Sequence, residues 1–265
     1  MYETPELETD VLVRSSSIRI HTPEDFEGMR KAGRLVAEAL DMIIPHVQPG
    51  VTTGQIDDLV REFTLARGGV PACLGYKGYT RTVCTSINHV VCHGIPGDKV
   101  LKEGDIVSLD AGLIYQGYHS DAARTHAVGE ISKEAEQLVK VTKESFFEGI
   151  KFAKAGNHLH EISAAIGNYA ERFGYGVVRE LVGHGIGTHL HEDPQIPNFA
   201  CKSRGIRLQP GMTLAIEPMI NIGRPEVVWL DDDWTVVTED GTLSAHYENT
   251  VLITEGEPEI LTLTN

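Results

Sequence analysis

Four acidic residues sit where an unpaired charge is costly. Asp110 lies in IVSLDAGL, Asp121 in GYHSDAAR, Glu217 in MTLAIEPMI and Glu248 in LSAHYENTVLI, all apolar, strand-like settings. Two carboxylates facing each other on a half-buried sheet repel unless a proton or a metal lies between them. Glu217 is flanked by Leu214, Ile216, Met219 and Ile220, so it could be solvated only on an edge strand. A second signal is VGHGIGTHLHEDP, residues 182–194, with His184, His189, His191, Glu192 and Asp193 among three glycines. Sparse carboxylates plus one glycine-flanked imidazole make an oxygen-rich set that suits Mn, Fe, Co or Zn rather than a soft thiolate metal.

These residues need elements to carry them. DIVSLDAGLIY followed by QGYHSDAARTHAVG reads as a hairpin turning near Gln116-Gly117. A four-residue loop, Ile114–Gly117, would set Asp110 directly opposite Asp121; a shorter loop would set them diagonally, still close enough to share a cation. Upstream, Thr22, Pro23 and Asp25 form a helix start, and Phe26, Met29, Val36, Leu40 and Ile43 follow at helical spacing. A second helix is expected from Thr53 to Arg67, buried along Ile56, Leu59, Val60 and Phe63 and stopped by Gly68-Gly69. The pattern then restarts. Ser132 caps a third helix expected to run to about residue 154, and HLHEISAAIGNYAERFG reads as a fourth, with Leu159, Ile162, Ile166, Tyr169 and Phe173 on one face. Strand-like segments follow to about residue 263. The order helix, helix, strands, given twice, predicts two similar halves in an α+β domain, with a mostly antiparallel sheet and helices on one face.

Composition bounds the rest. The 265 residues can bury a sizeable core, and a formal net charge of -15 makes a nucleic-acid role a poor expectation, because phosphates need Lys and Arg. Cys73, Cys84, Cys92 and Cys201 form no CxxC pair, which argues against a structural zinc knuckle. The acidic start MYETPELETD has no apolar signal region, and no apolar run approaches a membrane span. The expectation is a cytoplasmic protein with reduced thiols. Residues 1–20 read as a loose arm before a single domain over 21–265, its halves meeting near residue 130.

The stretches CLGYKGYTRTVCTSINHVVCHGIP, DIVSLDAG, GYHSDAARTHAVG, VVRELVGHGIGTHLHEDPQIP, LQPGMTLAIEPM and DDDWTVVTEDGTLSAHYENTVLIT, in that order, resemble the type I methionine aminopeptidases of the pita-bread metallopeptidase group over roughly residues 20–263. The resemblance implies a curved, mostly antiparallel sheet with two helix pairs on its outer face and halves related by a pseudo-two-fold. It implies two divalent ions held by Asp110, Asp121, His184, Glu217 and Glu248, with Asp121 and Glu248 bridging both, Asp110 on one ion, and His184 with Glu217 on the other. In two-metal hydrolases water activated between the ions is the nucleophile. Glu217 would shuttle the proton; His93 would bond near the substrate amine, and His191 would contact the scissile peptide.

Further implications concern substrate. Cys73, Tyr76, Tyr79, Cys84 and Trp234 would form an apolar, sulfur-tolerant pocket for a methionine side chain. Asn88, Val90 and Ser244 match a monovalent-cation site of some members, whereas His89, His119, His126, His189 and His246 match no role. The implied partners are N-terminal methionyl peptides and nascent chains, with transient ribosome contact, no membrane and a monomeric state. Lys77 replaces a histidine beside the pocket and Leu190 an aromatic residue at its rim, which bears on the second substrate residue. The short interval between Glu217 and Glu248 omits the helical insertion of type II enzymes. An aminopeptidase cleaving before proline would use the same ligands, but usually carries an N-terminal domain for which the residues before the first helix leave no room. A non-catalytic binding protein on the same fold would be expected to have lost ligands. In this reading Glu192 and Asp193 occupy the turn before Pro194.

Overall fold

Thr22 precedes helix α1, Pro23–Ile43, and the Asp25 carboxylate accepts from the Thr22 N–H at 2.7 Å, which satisfies an otherwise orphaned donor. The computed structural model describes residues 18–264. Most of the arm expected over residues 1–20 therefore lies outside the described residues; of its end, Arg19 bonds the Thr188 hydroxyl, and the next segment is held by the His21 N–H donating to Gly211 O at 2.8 Å. Helix α2, Thr53–Ala66, starts with the reciprocal pair Thr52 and Gln55 and stops one residue short of the expected end, before Gly68 at φ 74°.

The first-half strands are β1 (Val70–Pro71), β2 (Cys84–Ile87), β3 (Val90–Cys92), β4 (Ile106–Tyr115) and β5 (Tyr118–Ala127). Tyr115 pairs with Tyr118, leaving only Gln116 and Gly117 in the turn, both at positive φ (51° and 87°), as a type I′ hairpin requires. That two-residue loop settles the register. Asp110 pairs with Ala123 and Asp121 with Gly112, so the two carboxylates are diagonal neighbours.

Helices α3 (Lys133–Ile150) and α4 (Leu159–Glu171) open the second half. Ser132 caps α3 as expected, its hydroxyl accepting from the Ala135 N–H at 3.1 Å. The expected extension to residue 154 is not observed: tight-turn bonds Phe152 N–H to Gly149 O and Ala153 N–H to Ile150 O replace the helical pattern. Gly149 sits where a Cβ would press on Ile166, so the end of α3 packs closely against α4. Phe173, expected on the buried face of α4, falls beyond the helix and is 41% exposed, stacked with Tyr175 instead.

The later strands are β6 (Gly176–Val177), β7 (Gly183–Gly185), β8 (Glu192–Ile196), β9 (Thr213–Ile216), β10 (Met219–Asn221), β11 (Val227–Trp229), β12 (Val236–Thr238), β13 (Ser244–His246), β14 (Asn249–Leu252) and β15 (Glu259–Ile260). Among the described residues four antiparallel sheets result, ordered β1-β4-β2 with β5 also on β4, β13-β10-β6, β11-β12-β3, and β15-β14-β9-β7-β8. One apolar core joins α1 and α2 to β2, β4 and β5; a second joins α3 and α4 to β9 and β14. Each half thus repeats a helix pair against antiparallel strands, the two-layer arrangement of a pita-bread fold. Among the described residues no helix is long and apolar enough to cross a membrane.

Candidate metal centre

The hairpin and the second-half strands meet along β5 and the residues entering β14. Ala123 and Glu248 exchange backbone bonds, Glu248 N–H to Ala123 O at 3.0 Å and Ala123 N–H to Glu248 O at 3.3 Å. The Thr250 hydroxyl also accepts from the Asp121 N–H at 3.0 Å. This seam brings carboxylates of both halves into one place. Asp121, His184 and Glu248, all buried, each offer a ligand atom, and these atoms lie within 4.8 Å of one another. Glu217 Oε1 stands 3.5 Å from His184 Nε2. Asp110 and Asp121 interact through their side chains.

Glycines set the position of His184. A Cβ on Gly183 would collide with the carbonyl of Ala215, and one on Gly185 with that of Asp193, so β7 can lie tightly between β9 and β8 only with glycine on both sides of the histidine. His184 Nδ1 lies 2.8 Å from Gly185 O; a proton there leaves Nε2 with a free lone pair towards Glu217. Glu217 itself lies between β9 and β10, not on an edge: β9 runs between β7 and β14.

The electrostatics are those of crowded acids. Burial raises the Asp110 carboxyl, and raises those of Asp121 and Glu248 far above the usual range, helped by each group's acidic neighbours. Burial lifts Glu217 to about 8. Asp110 Oδ1, Asp121 Oδ1 and Glu248 Oε1 are buried without any hydrogen-bond donor. Arg124 only partly offsets the rise at Glu248, and Lys77 is the one Lys or Arg that lines the cavity. Orphaned carboxylate oxygens around one imidazole are what a hard or borderline divalent cation requires, so the donor set fits such ions.

Every residue assigned from sequence to ligand, pocket or peptide contact lines a single cavity: Cys73, Tyr76, Tyr79, Cys84, His93, Asp110, Asp121, His184, His191, Glu217, Trp234 and Glu248 are joined there by Lys77 and Leu190. Trp234 packs edge-on against Tyr79 at 5.0 Å and His93 at 6.1 Å. His191 stacks on Tyr76 at 5.1 Å and lies 4.1 Å from the His184 ring. Desolvation lowers His93 to about 4 and His191, whose ring is still open to the cavity mouth, to about 3, with His184 and Lys77 adding to the second shift. Asn88 and Ser244 meet through Ser244 N–H to Asn88 O at 2.9 Å, while Val90 pairs with Val237.

Three residues depart from the sequence reading: His246, and Glu192 with Asp193, the last two lying in β8 rather than in a turn. His246, given no role, is 2% exposed, with Nε2 3.6 Å from Glu217 Oε2 and neither ring nitrogen hydrogen-bonded. Its signal was available: Ser244, His246 and Glu248 alternate along one stretch, so a reading of Glu248 as inward-facing carries His246 with it. Glu192, expected in the turn before Pro194, instead opens β8 and pairs with Gly185. Gly185 has no side chain to keep that strand away, which lets pairing begin before Pro194.

Comparison with known proteins agrees with this geometry. Residues 27–255 match metallopeptidase family M24. The chain is 53% identical to the methionine aminopeptidase of Clostridium acetobutylicum over 247 residues, 93% of this chain and 99% of that one. It superposes on the crystal structure of methionine aminopeptidase from Thermotoga maritima with a TM-score of 0.91 at 47% identity, covering 93% of this chain and all of the other. The Xaa-Pro dipeptidase of Bacillus anthracis gives a TM-score of 0.76 at 25% identity, and the match covers 93% of this chain but only 62% of that longer one. The chain belongs to metallopeptidase family M24, among its methionine aminopeptidases.

Proposed function

We propose that this protein removes the N-terminal methionine from peptides and nascent chains by hydrolysing the first peptide bond. The observation that carries the reading is the junction of buried, donor-less carboxylates with an apolar, sulfur-lined cavity. Asp110, Asp121, His184, Glu217 and Glu248 would hold two divalent ions of the Mn, Fe, Co or Zn class, within one catalytic unit spanning residues 21–265. When bound, such ions lower the pKa of water and polarise a carbonyl.

The side chains do the rest. Glu217 accepts the proton of the attacking water at its carboxylate and returns it to the departing amine. His191, neutral and braced by Tyr76, donates an N–H to the oxygen of the scissile peptide as charge develops there. His93, against Trp234, bonds the substrate near its amine. Tyr76, Tyr79, Trp234, Cys73 and Cys84 enclose the first side chain, and aromatic edges with sulfur contacts favour a thioether over a branched chain.

The test strips the protein of metal and assays it on Met-Ala-Ser and Ala-Pro peptides, before and after adding Mn, Fe, Co and Zn separately. Methionine release that depends on added metal, with Ala-Pro untouched, supports the proposal. Cleavage of Ala-Pro at a comparable rate, or metal binding without turnover, would overturn it.

A further inference from the structure

The turn that carries His191 is closed by a side chain rather than by backbone alone. Glu192 Oε1 accepts from the N–H groups of Thr188 and His189, both at 2.9 Å, and from the Thr188 hydroxyl at 3.2 Å. Leu190 and His191, the two residues enclosed between clasp and strand, both line the cavity. Behind the clasp stands the segment before α1. His21, 5% exposed, brings Nε2 within 3.7 Å of Glu192 Oε2, and Arg19 lies 4.0 Å from Oε1 while its guanidinium bonds the Thr188 hydroxyl. Gly187 permits this approach, since a Cβ there would run into the His21 ring. On the far side the Gly187 carbonyl accepts from the His119 N–H at 2.7 Å, which fastens the turn to the hairpin.

A five-residue turn with a half-buried glutamate as its closure is a specific arrangement. Burial alone would raise the Glu192 carboxyl, yet the bonds from His21 and the His189 N–H hold it down at about 2. Such a group stays ionised and keeps its grip across the working pH range. Among the described residues the only other backbone bond across the turn runs from the Gly187 N–H to His189 O at 3.1 Å, while the His189 side chain is exposed.

We propose that Glu192 is a positioning residue: its carboxylate, braced by His21 and Arg19, fixes the 188–191 turn so that the His191 imidazole stays stacked on Tyr76 and aimed into the cavity. This rests on the reading above, in which His191 contacts the scissile peptide. Glu192 touches no substrate, and its effect passes entirely through His191. The segment before α1 thereby becomes part of the catalytic architecture.

Kinetics of the metal-loaded protein on Met-Ala-Ser test it with Glu192→Ala, Glu192→Gln, His191→Ala and the double variant Glu192→Ala/His191→Ala. Glu192→Ala is expected to lower kcat about 10-fold with KM within about twofold, since small misplacement of a group acting in the transition state costs rate rather than binding. Glu192→Gln retains an amide oxygen for both N–H groups and is expected within about threefold of wild type. In the His191→Ala background, Glu192→Ala should add nothing, because the two act as one unit. Histidine ring NMR of the metal-free protein gives a second readout: the His191 signal shifts or broadens in Glu192→Ala and not in Glu192→Gln. If Glu192→Ala fails to fold, Arg19→Ala with His21→Gln serves, with an expected loss of about threefold in kcat that again vanishes in His191→Ala. Full kcat in Glu192→Ala, or losses that add in the double variant, would overturn the proposal while leaving the role of His191 intact. Undiminished turnover in His191→Ala would overturn the reading beneath it.

Discussion

The two halves supply one centre by different means. In the first, a single hairpin carries Asp110 and Asp121 on strands of ten residues each, joined by two. Once Gln116 and Gly117 turn, both carboxylates are placed. In the second, His184, Glu217 and Glu248 come from a three-residue strand, the exit of β9 and the entry of β14. No local turn sets their spacing. They are placed by strand register, by backbone close to Gly183 and Gly185, and by the seam to the hairpin. A locally encoded platform thus receives an imidazole and two carboxylates that only tertiary packing can deliver, and Arg124 secures the join. From β5 it donates to the Glu248 carbonyl, to Asn249 Oδ1 at 2.7 Å and to Thr262 O at 3.0 Å, beneath the Tyr247 ring.

The contrast can be broken in several ways. The largest effect belongs to the second half: Glu217→Gln should retain the fold, seen as unchanged circular dichroism, while kcat on Met-Ala-Ser falls by about 10³-fold. Next is the join. Arg124→Met should cost about 3 kcal/mol in urea unfolding, because several buried acceptors lose their donor at once.

A smaller effect comes from charge. Glu217 is raised to about 8, so between the ordinary carboxyl range and pH 8 the folded metal-free protein binds more protons than the unfolded chain, and stability falls as pH rises. His93 and His191, lowered to about 4 and 3, act oppositely, but only below the ordinary imidazole range near 6.5. From pH 6.5 to 8 the carboxyl effect therefore stands alone. The melting temperature of metal-free protein should decline across that window, and saturating Mn should abolish or reverse the decline. The smallest effect tests the hairpin. Gln116→Asn creates the Asn-Gly pair that a type I′ turn favours, and should raise stability by about 0.5 kcal/mol in the same urea assay with kcat unchanged.

Legibility followed the same division. The hairpin, its turn and the starts of α1 and α3 could be read because their causes lie within a few residues: Thr22 with Pro23 and Asp25, Ser132, Gln116-Gly117. The second-half carboxylates were legible only as anomalies, acids in apolar strands, and the resemblance supplied their company. Features set by distant partners escaped. Nothing in the residues near 150 announces the end of α3, which passes into tight-turn bonds at Phe152 and Ala153. Phe173 looks like a core residue by period, but the helix carrying the period ends at Glu171. His246 is one of twelve histidines and carries no local signal of its own; its place beside Glu217 follows from how β13 meets β10. The ties of Arg124 and the bracing of Glu192 by Arg19 and His21 depend on residues far away in sequence, which no local pattern announces.

The central claim is that carboxylates from both halves converge to hold divalent ions. Isothermal titration of the metal-free protein with Mn, alongside native mass spectrometry, tests it directly. Two ions per chain are expected in the wild type, fewer than two in Glu248→Gln, and a higher melting temperature on loading. A wild type that takes up no ion, or a Glu248→Gln variant that still binds two with undiminished affinity, would contradict it.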